Sequence, residues 1–458
     1  MNEFLTVFLL LIVLVLVGAA YINNRTRSQF SGGFVFSPIP FILINYALIF
    51  AYRPLVILYY DAPTLNFAEI DNEKAYQAIQ LGLLSLCAIL LAFFVDFYRR
   101  PFQRASQRGG MTEIHINRLV WLNLCFFILV VIGIFIYGSA LNNTGDRLEN
   151  PSEYKGFFLF IITQRFHFVL SVLTFYFFLS SQMGRSWRLT MLVCLISAPM
   201  LSLFAAGRGA TFYLLIAYGV IYVFARPARI SWKHVIYIGA AGVFFSFLNF
   251  LLSIVRVVIS STGWDWADLL DAVNFRESGD KIEDLFILAS WDYSVFDVFV
   301  TIINELNEFT FGATNLQYFL SYVPRIVWPD KPLDQGFMLY VTNKFYGDIF
   351  SLNGSTFAGT LAGEGYLNFG FIGILVYSFV FSLVLCRIYG RACRSVGSNS
   401  IIIYALAFPF SQQVIRGGLD VMINFGILIL IPLWLLSKIL SRPSRRRLEH
   451  SLQIGNLK

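Results

Sequence analysis

Long runs of apolar residues recur along the chain. A helix needs about 20 apolar residues to cross the hydrocarbon core of a bilayer. The pattern therefore predicts an all-α polytopic membrane protein with about eleven transmembrane helices. The predicted spans are 4–22, 34–52, 75–97, 118–138, 157–181, 188–206, 210–225, 235–258, 366–386, 400–415 and 419–437.

Charged residues divide between alternate connections of these runs. Basic residues fill one set of connections. The other set carries nearly all the acids, including Asp61, Asp146 and the many acids between 265 and 364. Short loops rich in Lys and Arg stay in the cytoplasm, so the N-terminus is predicted outside and the C-terminus inside. The basic set includes Arg25, Arg27, Arg99, Arg100, Arg185, Arg188, Arg226, Arg229, Arg387 and Arg391, and the tail is also basic.

One connection, 259–362, is much longer than the others and falls on the predicted outer side. It divides the chain into transmembrane helices one to eight (1–258), this large periplasmic loop (259–362), and helices nine to eleven with a basic cytoplasmic tail (363–458). Within the loop, 268–288 and 295–306 have apolar residues at helical spacing, which predicts amphipathic helices lying on the membrane surface. The alternative is that they only complete the packing of the fold.

Composition excludes a soluble globular protein. The chain is 57% hydrophobic and 13% charged, with a mean hydropathy of +0.67, whereas soluble domains are about 25% charged. The net charge of +7 lies in short loops, which indicates topology and not a nucleic-acid partner. The five cysteines and four histidines form no disulfide framework or zinc pattern, so no metal and no cofactor are predicted.

Several arginines are predicted in or against the membrane. Arg208 and Arg416 lie between apolar runs with glycines beside them, Arg325 lies in the outer loop, and Arg165 lies inside the fifth helix, followed by His167. An arginine at such a depth needs an anionic partner. For any single one, snorkelling to a lipid phosphate is an equal explanation. Three arginines at the same depth on the outer side of the membrane are what the binding of a diphosphate headgroup requires.

The outer loop also contains candidates for sugar binding and proton transfer. In PRIVWPDKP (324–332), three prolines favour a rigid loop in which Trp328 offers a stacking face and Asp330 and Lys331 offer hydrogen bonds. An ordinary aromatic-belt loop is the alternative. Glu364 begins the ninth helix in a segment rich in Gly, Ser and Thr, where a partly buried carboxylate is a candidate general base. The alternative is a carboxylate favoured by the helix dipole.

Four stretches of the chain follow one another in an order that can be compared with known families. They are AAGRG near 208, FDVFVTIINELNEFTFGATNLQYFLSYVPRIVWPDKP at 296–332, GSTFAGTLAGEGYLNFGFIG at 354–373, and VIRGGLD near 416. Taken in this order they resemble the Wzy-type O-antigen and oligosaccharide repeat-unit polymerases of bacterial inner membranes. The middle two are the specific part, whereas the first 200 residues resemble the family only in hydropathy. Arg208 and Gly219, and Arg325 and Gly336, also repeat an R-x10-G spacing that resembles the family's outer loops, although Gly219 falls inside the seventh helix.

The resemblance implies a GT-C-like polymerase architecture and a metal-independent glycosyltransferase of the inner membrane. Such an enzyme joins repeat units carried on undecaprenyl diphosphate at the periplasmic face, by transferring the growing chain onto a hydroxyl of the incoming unit. Donor and acceptor are then both undecaprenyl-diphosphate-linked oligosaccharides. Membrane lipid and a chain-length regulator protein are the other expected partners, and nucleic acid is not.

The residues take the following predicted roles. Arg208 and Arg325, with Glu364 as base, form the catalytic set. The substrate-binding set comprises Arg416 for diphosphate, Trp328, Asp330 and Lys331 for sugar, and Arg165 and His167, which are also alternative proton acceptors. Two other functions stay open: an O-antigen ligase, which uses the same donor, and a lipid-linked oligosaccharide flippase.

Overall fold

The computed structural model describes residues 36–60, 72–99, 115–142, 157–180, 185–206, 208–225, 290, 293–321, 323, 328, 336–347, 357–394 and 398–440. Within these ranges the regular structure is entirely helical. The predicted spans 4–22 and 235–258, the predicted helix 268–288 and the basic tail lie outside them.

Fourteen α-helices are numbered here in chain order through the described residues. They are α1 (Pro38–Ala47), α2 (Arg53–Tyr60), α3 (Asn72–Arg99), α4 (Ile116–Asn142), α5 (Phe157–Ser180), α6 (Arg185–Ala206), α7 (Arg208–Ala225), α8 (Val295–Glu305), α9 (Ala313–Ser321), α10 (Phe337–Val341), α11 (Leu361–Arg394), α12 (Ser398–Gly417), α13 (Leu419–Phe425) and α14 (Ile431–Leu440). Single π-helical turns join α1 to α2 (Leu48–Tyr52) and α13 to α14 (Gly426–Leu430), and a third, Thr342–Tyr346, extends α10.

Six helical segments of the described chain are long and apolar enough to cross a membrane. They are Pro38–Ile57, Asn72–Asp96, Ile116–Tyr137, Leu159–Ser180, Leu361–Cys393 and Leu419–Leu440. Two shorter apolar stretches, Trp187–Pro199 and Ala210–Phe224, lie in α6 and α7. The chain is therefore an α-helical protein with the character of a multi-pass membrane protein. The count of about eleven and the N-out, C-in orientation stay predictions.

The core of the fold is built around α3 and α11, which lie side by side. A hydrogen-bonded chain crosses it from the Tyr46 hydroxyl to Ser85 and on to Ser378, at 2.6 Å for each step. Because buried hydroxyls are costly unless they are paired, this chain fixes the rotation of three helices against one another. A second group, α4 with α5 and α6, packs against α7, α12 and α14, and α7 also packs against α12.

Helix α11 is longer than its predicted span 366–386 at both ends, and it is broken near its start. Phe369 has φ −142° and Gly370 has φ 60°, a left-handed value that glycine adopts without steric cost. The break releases backbone carbonyls from the helix, so those of Leu367 and Asn368 accept the N–H groups of Thr310 and Phe311, at 3.0 Å each. The first two turns of α11 are therefore joined by backbone hydrogen bonds to the segment that precedes α9.

Helix α8 matches the amphipathic helix predicted at 295–306, but its apolar face is covered by protein. Phe296, Phe299 and Ile302 are fully buried, and α8 packs against α3 and α11. Its acid Asp297 is also buried, in an ion pair with Arg53. This packing corrects the prediction of a helix lying on the membrane surface: α8 completes the packing of the fold.

Candidate functional site

Three of the four stretches that carry the family resemblance meet in one place. The start of α11 supplies GEGYLN (363–368), the entry to α9 and its first turn supply FGATN (311–315), and the α12–α13 junction supplies VIRGGLD (414–420). Hydrogen bonds between side chains and backbone join all three. Residues about 50 to 100 positions apart in sequence thus form one polar cluster beside the break in α11.

Glu364 lies at the centre of this cluster and is fully buried. Its Oε1 accepts a hydrogen bond from the Asn315 side-chain amide, and its Oε2 accepts one from the backbone N–H of Leu419, the first residue of α13. The backbone N–H of Asp420 points at the same carboxylate. Glu364 therefore caps a helix other than its own, and both of its oxygens already have donors.

The backbone around Glu364 is fixed by Thr360, the residue that precedes α11. Its hydroxyl accepts the N–H of Gly363 at 2.9 Å, the usual contact of a Thr that caps a helix N-terminus. Its own N–H donates to the carbonyl of Arg416, also at 2.9 Å. Thr360 has φ 67°, which is uncommon for a residue other than glycine. This geometry aligns the start of α11 with the end of α12.

Asn368 lies one turn after Glu364 and holds the segment before α9 in place. Its Oδ1 accepts hydrogen bonds from the Thr310 hydroxyl at 2.7 Å, the Gly312 N–H at 2.9 Å and the Thr314 hydroxyl at 3.1 Å. Its Nδ2 donates to the Glu364 carbonyl at 2.9 Å. Residues four apart share one helix face, which is why Glu364 and Asn368 contact the same neighbouring segment.

Asp420 is a second buried carboxylate beside Glu364, and only 2% of its surface is exposed. Its Oδ2 accepts the backbone N–H of Phe337, at the start of α10. Its Oδ1 is buried and has no hydrogen-bond partner in the described part of the chain. Sequence reasoning passed over Asp420, although it is the one acid in VIRGGLD.

Gly336, the second glycine of the R-x10-G pairs, has a structural reason to be glycine. Its φ is +90°, and a Cβ added there would lie 2.6 Å from Oδ2 of Asp420. Only a residue without a side chain allows this approach. Gly219, the first such glycine, faces the ring of Phe36, with an added Cβ at 2.9 Å from it.

A cavity of about 330 Å³ lies next to the polar cluster. Two of the predicted arginines, Arg165 and Arg416, line it together, and Tyr213 and Gln413 add polar groups. No carboxylate in the described ranges lies within ion-pairing distance of Arg416. The complete lining comprises Arg165, Tyr213, Met338, Ala358, Phe410, Gln413, Arg416, Gly417, Val421, Asn424, Leu428 and Ile429.

His167 does not line this cavity, although it follows Arg165 by two positions. Two residues turn a helix by about 200°, so His167 lies on nearly the opposite face of α5. It is buried, and its Nε2 has no hydrogen-bond partner within the described residues. The structure thus brings Arg165 and Arg416 together and separates His167 from both.

The other predicted site residues are described only in part. Arg208 is the first residue of α7, a turn and a half before Tyr213, but its side chain lies outside the described residues. Arg325, Asp330 and Lys331 lie outside them entirely. Trp328 is partly buried and is not among the residues that line the cavity. The described residues also contain no group of three or more His, Cys, Asp or Glu side chains suited to a metal ion.

The contact between Gly418 and Glu364 leads to a prediction about stability. Gly418 and Gly347 have similar backbones, with φ 85° and 87°, in a region that is almost restricted to glycine. A Cβ at Gly418 would overlap the Glu364 carboxylate, whereas a Cβ at Gly347 has nothing within 4 Å. We therefore expect Gly418→Ala to lower the free energy of unfolding by about 1–3 kcal/mol more than Gly347→Ala does.

The unfolding midpoint of purified protein in detergent measures this difference. Gly426→Ala is the matched control, because its φ is −56° and an added Cβ meets nothing within 4 Å. It should leave the midpoint unchanged or raise it slightly, because alanine favours a helical backbone more than glycine does. Equal losses for Gly418→Ala and Gly347→Ala would mean that Glu364 does not hold the α12–α13 junction in this way.

Comparison with protein families, with curated proteins and with solved structures found no match.

Proposed function

We propose that the chain is a Wzy-type polymerase of the bacterial inner membrane. It joins oligosaccharide repeat units of O-antigen or a related surface polysaccharide, each carried on undecaprenyl diphosphate, at the periplasmic face. The observation that carries the proposal is the meeting of three family-like stretches beside a cavity that two arginines line. In the sequence, these stretches and Arg165 are spread over more than half of the chain.

The cavity has the size and chemistry of a headgroup site. Small-molecule pockets occupy roughly 300–1,000 Å³, so a cavity of about 330 Å³ fits a diphosphate with an adjoining sugar better than a whole oligosaccharide. Arg165 and Arg416 supply planar, permanently charged donors, the groups best suited to bind phosphate oxygens in pairs. Tyr213, Gln413 and Asn424 offer further hydrogen bonds.

The reaction balances without a bound metal. A hydroxyl of the incoming unit forms a bond to the anomeric carbon of the growing chain, and the bond from that carbon to the lipid diphosphate breaks. The bonding electrons leave with the diphosphate, where the arginines stabilise the charge that develops. The hydroxyl proton passes to a carboxylate of the protein. Arg208 and Arg325 stay candidates for the same electrostatic role.

The two alternatives use the same lipid donor but give different products. A ligase would transfer the glycan to the lipid A core, and a flippase would move the lipid-linked unit across the bilayer without making a bond. In a strain that lacks the gene, lipopolysaccharide capped with a single repeat indicates a missing polymerase, and an uncapped core indicates a missing ligase. Transport of labelled lipid-linked unit without polymer indicates a flippase.

The decisive experiment is reconstitution. Purified protein in detergent is incubated with a synthetic undecaprenyl-diphosphate repeat unit, with and without chelator, and the products are separated by size. We expect a ladder of lengthened glycans in both samples. If correctly folded protein yields only the starting unit, the polymerase proposal is wrong. A ladder lost with chelator and restored by a divalent cation would contradict the metal-independent reaction.

A further inference from the structure

Joining a sugar hydroxyl to an anomeric carbon releases one proton, and a nearby base accelerates this step. A base needs an oxygen that is free to accept a hydrogen bond from the hydroxyl. Glu364 is the base that the sequence suggests, but Asn315 and Leu419 already donate to its two oxygens. A carboxylate oxygen has two acceptor sites, so these contacts leave Glu364 only partly free, and the backbone N–H of Asp420 points at it as well.

Asp420 meets the requirement directly. One of its oxygens, Oδ2, is fixed by the Phe337 N–H, and the other, Oδ1, is buried without a hydrogen-bond partner in the described chain. A buried acceptor with no donor costs free energy, roughly that of desolvating the group. A catalytic role is one of the known explanations for such a group in a native protein, and a substrate hydroxyl is the kind of donor that Oδ1 lacks.

Asp420 does not line the arginine-lined cavity, but it is close in the chain to residues that do. Its neighbours Gly417 and Val421 line that cavity, and so does Met338, which follows the Phe337 that binds Asp420. Methionine side chains are flexible and adapt easily to a changed space. A hydroxyl in the cavity therefore needs a side chain such as that of Met338 to move before it can approach the free oxygen of Asp420.

We infer that Asp420 is the catalytic base of the polymerisation reaction and that Glu364 is a positioning residue that holds Asp420 in place. The inference rests on the proposed function. As the new glycosidic bond forms, the acceptor hydroxyl donates its proton to Oδ1 of Asp420, and the electrons of the broken bond leave with the lipid diphosphate. Glu364 acts through the backbone, since its carboxylate binds the N–H of Leu419, directly before Asp420.

Two isosteric variants separate the two carboxylates. Asp420→Asn keeps an oxygen for the Phe337 N–H but cannot accept the proton, so kcat for ladder formation should fall by about 100-fold or more. Glu364→Gln keeps an oxygen for the Leu419 N–H, so its kcat should fall by about tenfold or less. The KM for the lipid-linked unit should change little in either variant.

Asp96→Asn is the matched control. Asp96 is also a buried acid, and Cys386, 22 residues after Glu364 on α11, contacts it at 3.5 Å. Gly365 lies against Gly373 across the break in α11, and from Gly373 to Cys386 the helix rises about 20 Å, so kcat should not change. If Glu364→Gln abolished the ladder and Asp420→Asn kept near-wild-type kcat, the inference would be overturned and Glu364 would be the base.

A second measurement uses the wild-type protein, so it does not depend on the folding of any variant. An apolar carbodiimide reacts with buried, protonated carboxyl groups, and mass spectrometry locates the adduct. The labelling is done at a pH low enough to protonate both carboxyl groups. We expect the undecaprenyl-diphosphate repeat unit to suppress the adduct on Asp420 and to leave any adduct on Glu364 unchanged. Suppression at Glu364 and not at Asp420 would contradict the inference. If the wild-type protein forms no ladder, the proposed function is contradicted, whatever the labelling pattern.

Discussion

Replacing Asp297 by alanine should cost about 3–5 kcal/mol of unfolding free energy, because it leaves a buried guanidinium without its counter-ion. Arg53 is fully buried and Asp297 is 3% exposed. The pair is bidentate, with Nε to Oδ1 at 3.0 Å and Nη2 to Oδ2 at 2.6 Å. Nη1 of Arg53 also donates to Ser290 at 2.6 Å. This pair ties α8 to the first helices of the bundle.

Unfolding of the purified protein in detergent, followed by far-UV circular dichroism, measures the loss. Glu305→Ala is the matched control, since Glu305 is an exposed acid on the same helix and should shift the midpoint little. The double variant Arg53→Met with Asp297→Leu should recover much of the lost stability, because an apolar pair of similar volume often replaces a buried ion pair at little cost. A small effect of Asp297→Ala would show that α8 is held by its apolar face alone.

The largest effect on substrate binding should come from Arg416→Ala. A hydrogen bond to a charged group contributes about 1.5–3 kcal/mol, so removing this guanidinium should raise the KM for the lipid-linked repeat unit about 10- to 100-fold. Arg165→Ala should act in the same direction, since both arginines line one cavity. Steady-state ladder formation by the purified variants gives both KM and kcat.

Two further variants show whether charge alone is sufficient at this position. Arg416→Lys keeps the charge but loses the planar pair of donors, so it should recover only part of the affinity. Arg391→Ala, an exposed arginine near the other end of α11, should leave KM unchanged. If Arg416→Ala and Arg325→Ala both left glycan chain length unchanged in a complemented strain with normal protein levels, neither arginine would hold the diphosphate.

The helical and membrane character of the protein follows from the sequence, because it depends on local patterns. Each spanning helix needs its own run of apolar residues, and the runs at 34–52, 75–97, 118–138, 157–181, 366–386 and 419–437 all coincide with helices that could cross a bilayer. The helix at 295–306 was also visible from its periodicity. Its burial was not, because the same amphipathic pattern fits a membrane surface and a protein surface equally well.

The partners of the polar residues were decided by tertiary structure. Arg53 and Asp297 are 244 positions apart, and no local pattern links a single arginine to a single acid at that distance. Glu364 was correctly singled out as an acid at a helix start, but the helix that it caps, α13, begins 55 positions later. Its oxygens are occupied because two other segments fold onto it.

The sequence by itself determined which segments are helical and apolar, and which stretches resemble a polymerase, because these properties lie in contiguous residues. Only the tertiary structure decided that Arg165 shares a cavity with Arg416 while His167 does not, since that depends on which helix face meets which neighbour. It also distinguished Glu364 from Asp420. Both are buried acids, and the difference is that distant parts of the chain bring hydrogen-bond donors to both oxygens of Glu364 but to only one oxygen of Asp420.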